Sequence, residues 1–301
     1  MNRRTALRAA SYALVVAALL GAGSLLAGCG GGVVPAKAGQ LTVLADTSFL
    51  ADIAQNVAGD RLSVLPLIPM GADPHSFEPT PRDAARVAES RAIIINNRGL
   101  DPMVDDLISG AGRSDLLVVE AATGLAGARQ DPHLWLDPLQ VVTYVDNIRR
   151  GLSAIDPAGS EVYAKNAQAY GQKLRDLDQW ISAQVQTIPA GRRMLVTNHE
   201  SFGYFAKRYG FTIVGAIFES VSGEGSPSAR ELAALVKEIK ATRAPAVFLE
   251  TGNNPDLAVQ IAKETGVKVV TDLYVHSLGP HAATYLDMMR WDVDLIVEAL
   301  R

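Results

Sequence analysis

Three histidines and one aspartate carry the chemistry this chain can be expected to do. His75, His133 and His199 each follow a short apolar run, and Asp272 ends another. Imidazole nitrogen and carboxylate oxygen are zinc donors at about 2.0–2.2 Å, and four of them fill the usual shell. A filled shell leaves no position for a reactive water, so such a site binds rather than hydrolyses. Taken singly, none of the four is telling: a loop histidine is usually a surface group, and an aspartate ending a strand is commonly a turn former. The expectation rests on all four falling at equivalent places. Imidazole favours zinc, whereas carboxylate and water suit manganese. A set of three His and one Asp therefore points to zinc as a bound ligand, with manganese as the alternative.

The elements that must position these residues alternate. Strands are expected near 41–45, 61–68, 92–95 and 116–119, with helices near 48–59, 82–90 and 101–109 between them. After a helix-forming stretch at 138–188 the pattern resumes. Strands are expected near 194–197, 211–217, 246–249 and 267–271, and helices near 201–209, 228–240 and 255–264. Strand–helix alternation implies βαβ units and parallel sheets. The expected fold is α/β, with two similar lobes of parallel β-sheet flanked by helices and one long α-helix bridging them. Residues 157–187 alone would make a helix of about 45 Å. The lobes are expected at 41–137 and 189–301, with the helical region 138–188 between. Ligands of parallel sheets bind beyond the C-terminal strand ends, so two donors from each lobe would meet across a cleft.

The first 28 residues read as an export signal rather than as part of the fold. Arg3, Arg4 and Arg8 precede an uncharged apolar stretch, Ser11 to Ala27. Leu26-Ala27-Gly28-Cys29 then places the only cysteine of the chain after small residues, as in a lipobox, where cleavage leaves a lipid-bearing Cys29. Arg3-Arg4 leaves twin-arginine export open beside the general route. Residues 29–40 read as a flexible tether, so the globular part is expected on the extracytoplasmic face of a membrane. With 48% hydrophobic and 20% charged residues the chain is too apolar for disorder. Its net charge of −4 excludes the basic footprint of a nucleic-acid binder. A single Cys excludes a disulfide scaffold. Gly223-Glu-Gly225 lacks a following Gly-Lys-Ser/Thr, so no nucleotide loop is expected.

The segments around the four donors resemble the zinc- and manganese-binding solute-binding lipoproteins of ABC importers, the TroA- and ZnuA-like group. Gly71-Ala-Asp-Pro-His75-Ser-Phe-Glu-Pro-Thr80 is similar to that family's first ligand motif, and Asp131-Pro-His133-Leu-Trp-Leu-Asp-Pro138 to its second. Thr197-Asn-His199-Glu-Ser-Phe-Gly is similar to the third. Val270-Thr-Asp272, with Tyr285-Leu-Asp-Met-Met289 in a final helix, is similar to the fourth. The resemblance spans nearly the whole exported chain in order. It implies two α/β lobes bridged by a helix, a metal held by His75, His133, His199 and Asp272, and no enzymatic activity. It also implies an ABC permease as partner, membrane attachment through Cys29, and a secondary association with cell adhesion. No nucleic-acid partner is implied, and a monomer is expected. Two departures stand out. The stretch before the second motif, 124–130, has no histidine, where many zinc importers carry a His-rich insert. The third position, His or Glu in the family, is His199 here.

The remaining histidines, His276 and His281, are expected in a solvated loop. Trp135 is expected to pack in the core or cleft wall. Glu200 and Glu250 are candidates to orient the ligand imidazoles. The competing class is a lipid-anchored zinc hydrolase, which needs an open coordination position. The fourth ligand decides between the two.

Overall fold

The computed structural model describes residues 41–98, 102–220, 222, 226–251 and 254–301. The export signal, Cys29, the tether and Gly223-Glu-Gly225 lie outside the described residues. Among the described residues, no helix is long and apolar enough to cross a membrane.

The first half is built on four short strands, β1 (Thr42–Ala45), β2 (Ser63–Pro66), β3 (Ala92–Ile95) and β4 (Leu117–Glu120). They form one parallel sheet in the order β2-β1-β3-β4. The helices α1 (Ser48–Ala58), α2 (Pro81–Glu89) and α3 (Pro102–Gly110) connect them. β3 reads Ala-Ile-Ile-Ile and is buried throughout, as a parallel strand covered on both faces requires. α2 starts on a reciprocal cap, the Thr80 hydroxyl accepting from Asp83 N and the Asp83 carboxylate accepting from Thr80 N.

Two helices follow. α4 (Pro138–Ile155) begins on Asp137, whose side chain accepts from Leu139 N, with Pro138 at the first helical position. Asp156-Pro157 interrupts the helical run. α5 (Ser160–Gln186) then continues for 27 residues, about 40 Å. It buries a single stripe, including Tyr163, Tyr170, Leu174, Leu177 and Ile181, and leaves its other faces in solvent. Asp178 on that stripe takes a bidentate pair of hydrogen bonds from Arg208, at 2.8 and 2.7 Å, which ties the long helix to the second half.

The second half contains β5 (Met194–His199), α6 (Gly203–Tyr209), β6 (Thr212–Phe218), α7 (Ala229–Thr242), β7 (Ala246–Glu250), α8 (Asp256–Thr265), β8 (Lys268–Leu273) and α9 (Tyr285–Leu300). Its strands pair in parallel as β5-β6 and β7-β8. The element order therefore repeats, while the pairing differs: one four-stranded sheet in the first half, two two-stranded sheets in the second. One apolar core runs through both halves. Phe49 and Trp135 from the first, Tyr163 from α5, and Phe205, Phe248 and Tyr285 from the second all belong to it. The architecture is α/β in two similar lobes with a long bridging helix, as the alternation of elements implies.

Candidate metal centre

Four imidazoles converge. His75, His133, His199 and His276 each offer a ring nitrogen, and these atoms all lie within 4.8 Å of one another. The strand ends explain three of them. His75 follows β2 in a short 3₁₀ turn whose first residue is Pro74. His133 precedes a second such turn, Leu134–Leu136. His199 is the last residue of β5.

The two Asp-Pro-His segments adopt the same local device. Asp73 Oδ1 accepts from His75 N at 2.9 Å, and Asp131 Oδ1 accepts from His133 N at 3.0 Å. The His133 loop is further pinned from beneath. Asn96, at the end of β3, donates to the Pro132 carbonyl at 3.1 Å and accepts from the Tyr144 hydroxyl. Tyr204 of α6 donates to the Asp131 carbonyl at 3.2 Å. Trp135 packs at 5.1 Å from the His133 ring and donates to the Val275 carbonyl, one residue before His276, at 2.8 Å. It is fully buried, as a core residue should be.

Carboxylates fix which nitrogen of each ring faces inward. His133 Nδ1 lies 2.8 Å from Asp131 Oδ1. His199 Nδ1 lies 2.6 Å from Glu250 Oε1, and His276 Nδ1 lies 3.0 Å from Glu250 Oε2. At His133 and His276 the carboxylate is a hydrogen-bond partner of Nδ1, and at His199 it stands in close contact without one, so all three rings turn Nε2 inward; in the Nδ1–H form these atoms carry lone pairs. Those lone pairs meet: His133 Nε2 is 3.1 Å from His276 Nε2 and 3.2 Å from His199 Nε2. His75 Nε2 is buried with no hydrogen-bond partner among the described residues. Three ring nitrogens facing one another, beside this fourth, are the donor set a cation site requires.

The electrostatics agree at His75 and His133 and run the other way at His276. Burial, then the nearby His276, holds His75 down to about 4. Burial, then His276 and His199, holds His133 well below the ordinary histidine value. Both rings are therefore neutral near pH 7, the form that binds metal. Burial alone would raise Glu250, yet the adjoining His276 and His199 carry it down to about 2, so it stays ionised. Burial opposes a charge on His276 as well, but the Glu250 charge and hydrogen bond leave it raised.

The fourth member of the cluster is His276, and Asp272 is not part of it. Asp272 is exposed, has a left-handed φ of 73°, and its carboxylate accepts from the Thr271 hydroxyl at 2.9 Å. β8 carries it on the outward side of the pair. The chain then runs on through buried Leu273, Tyr274 and Val275 before a side chain reaches the other imidazoles. His276, expected in a solvated loop, is only 6% exposed. The signal that marks it is this unbroken apolar run after the strand, which keeps the backbone inside. His281 is exposed, as expected, and stacks on Trp291 at 4.7 Å. Of the two candidate orienting acids, Glu250 serves two rings, while Glu200 is exposed.

Two α/β lobes with four imidazoles gathered at their strand ends define a metal-binding protein of the solute-binding type. The family model described as zinc-uptake complex component A, periplasmic (ZnuA), matches residues 43–299, and the chain belongs to that family. The manganese-binding lipoprotein MntA of Halalkalibacterium halodurans is 33% identical over 299 residues, covering 96% of this chain and 97% of that protein. The iron ABC transporter substrate-binding lipoprotein MtsA of Streptococcus pyogenes is 28% identical, covering 95% and 97%. Among solved structures, the periplasmic zinc-binding protein TroA of Treponema pallidum superposes with a TM-score of 0.80 at 27% identity, over 87% of this chain and 99% of that one.

Proposed function

We propose that this chain captures a divalent transition metal outside the cytoplasm, through His75, His133, His199 and His276, and delivers it to the permease of an ABC importer. Zinc is the favoured ion and manganese the alternative. The observation that carries the reading is the convergence of three carboxylate-flanked imidazoles, the Nε2 of His133 lying 3.1 Å from that of His276 and 3.2 Å from that of His199. Four imidazoles complete the usual zinc shell without Asp272. They are also a softer set than three His and one Asp, which strengthens the preference for zinc over manganese.

The four rings bring no charge to the ion. Asp131 and Glu250, one step behind them, supply two negative charges that balance a dication without touching it. A filled shell of four nitrogens offers no open position for a water nucleophile, which argues for a binding protein and against a zinc hydrolase. Membrane attachment through Cys29 fits the relatives, which are named as lipoproteins. Cys29→Ala is expected to release the protein from membranes with metal binding intact.

The test is metal analysis of protein purified without chelator, followed by zinc and manganese competition titrations. One equivalent of divalent metal, lost in His133→Ala, is expected. Failure of both zinc and manganese to bind would overturn the reading. A higher affinity for manganese would reverse the choice of ion alone.

A further inference from the structure

The four imidazoles are not held alike. Three have a carboxylate against Nδ1: Asp131 hydrogen-bonds His133 at 2.8 Å and Glu250 hydrogen-bonds His276 at 3.0 Å, while Glu250 Oε1 stands 2.6 Å from His199. These three are 0%, 2% and 6% exposed. His75 is only half-buried. Among the described residues its Nε2 has no hydrogen-bond partner, and no carboxylate bonds its ring. The contrast is sharpest between the two Asp-Pro-His turns. Asp73 and Asp131 both accept from the backbone N of their histidine, yet only Asp131 also takes the ring nitrogen. The same motif thus yields one fixed imidazole and one whose ring is restrained by packing alone.

The surroundings of His75 fit that difference. It belongs to the loop after β2, whose segment 70–73 lines a pocket of about 250 Å³ with residues 273–280 of the other half. Among the described residues the loop makes one hydrogen bond to that side, the Gly71 N–H donating to Ser277 Oγ at 2.6 Å. Gly71 has φ +85°, a conformation that leaves a turn free of side-chain strain only at glycine.

We propose that His75 is the exchanging ligand of the site. The ion is held first and last by His133, His199 and His276, and His75 closes over it on capture and lets go first on release. The proposal rests on the metal-binding reading above and adds an order to it. A ligand oriented by a hydrogen-bonded carboxylate is already in place before the ion arrives. An unanchored ring must be ordered by the ion itself and is correspondingly easier to displace.

The experiment compares His75→Ala and His133→Ala with wild type. Zinc is measured by competition with a chromophoric chelator, and Co²⁺ serves as the spectroscopic probe. His75→Ala is expected to keep one zinc per chain, on the order of 10²-fold more weakly, with water in the fourth position as in three-ligand zinc sites. Added imidazole then alters the Co²⁺ visible spectrum of that variant and leaves the wild-type spectrum unchanged. His133→Ala is expected to lose at least about another tenfold, since its loss also strands Asp131. In metal-free wild type, relaxation of the ring Cε1–H signals should show His75 more mobile than the other three. Equal zinc loss in the two variants, a Co²⁺ spectrum of His75→Ala indifferent to imidazole, or equal ring mobility overturns the proposal. If wild type binds neither zinc nor Co²⁺, the metal-binding reading itself falls, and this order of ligands with it.

Discussion

The Nε2 atoms of His133 and His276 lie 3.1 Å apart, although 143 residues separate them in the chain. Two ligand nitrogens on one tetrahedral zinc, at about 2.0–2.1 Å each, would stand about 3.3 Å apart. The protein thus holds this edge of the shell near its bound length. His133 owes its place to the loop after β4, and His276 to the segment after β8. Trp135 joins the two supports through its hydrogen bond to Val275.

Glu250 is expected to be the most sensitive residue that does not touch the ion. Its two oxygens serve His199 and His276 separately. Glu250→Gln keeps the shape but turns one acceptor into an N–H₂ donor. Only one of the two rings can then keep its Nδ1 proton, and the other must present the wrong tautomer or rotate. Zinc affinity is expected to fall by about 10- to 100-fold, the usual range for losing such a partner. Chelator competition measures it. Unchanged affinity would mean that the rings are oriented by packing alone.

Much of this was legible in the residues, and the miss has a physical cause. The βαβ alternation showed in short apolar runs such as Ala92–Ile95, because parallel strands buried on both faces must be apolar. His75, His133 and His199 followed from the strand-end rule. Asp272 met that rule just as well in sequence, yet its side chain faces solvent. Which of several polar residues near a strand end turns inward depends on how far the backbone stays buried, and here it does so for four more residues. Pairing in the second half was equally hidden, since four apolar runs do not say whether they form one sheet or two. The double duty of Glu250 was out of reach for the same reason: it ends β7 and joins residues at the end of β5 and after β8, which only the packing of those strands brings together.

Asp52 gives a pH dependence away from the site. It lies on α1, where its carboxylate accepts from the Tyr285 N–H at 2.9 Å and from Asn56 at 3.2 Å. Burial raises it to about 6 despite those bonds. The unfolded chain releases this proton near pH 4, the folded chain only near 6. Between those values the folded state binds more protons, so this residue makes stability fall as pH rises. Asp52→Asn removes the penalty. The variant is expected to gain on wild type between pH 4 and pH 7, by up to roughly 3 kcal/mol. Urea unfolding of both metal-free proteins at the two pH values measures the gain. An equal stability difference at both would show that Asp52 carries no such cost.

Trp135 is expected to matter through its N–H as well as its bulk. Trp135→Phe retains an aromatic ring beside Phe49, whose centroid lies 4.8 Å away. The Val275 carbonyl, however, loses its donor in a buried place. Leaving such a group unsatisfied costs about 1–3 kcal/mol. Denaturant unfolding should show a loss of that size or somewhat more, given the smaller ring. A variant as stable as wild type would mean that Val275 finds another donor.

The choice of metal can be tested by His199→Glu, and the structure adds a condition to the result. The substitution replaces one of four imidazoles with a harder, charged donor, which should cost zinc more affinity than manganese. It also sets the new carboxylate against Glu250, whose Oε1 stands 2.6 Å from the present ring. Like charges so close disfavour each other's ionised form, so the single variant should bind both metals poorly at neutral pH. Adding Glu250→Gln relieves that repulsion. The double variant is expected to recover manganese binding more than zinc binding relative to His199→Glu, because the Gln carbonyl can still accept from His276 Nδ1 while the carboxylate at 199 is freed to act as a hard donor. Competition titrations on all three proteins give the zinc-to-manganese affinity ratio. A ratio that stays at the wild-type value throughout would mean that donor type at residue 199 does not set selectivity. The spacing of the three carboxylate-anchored rings would then have to do so.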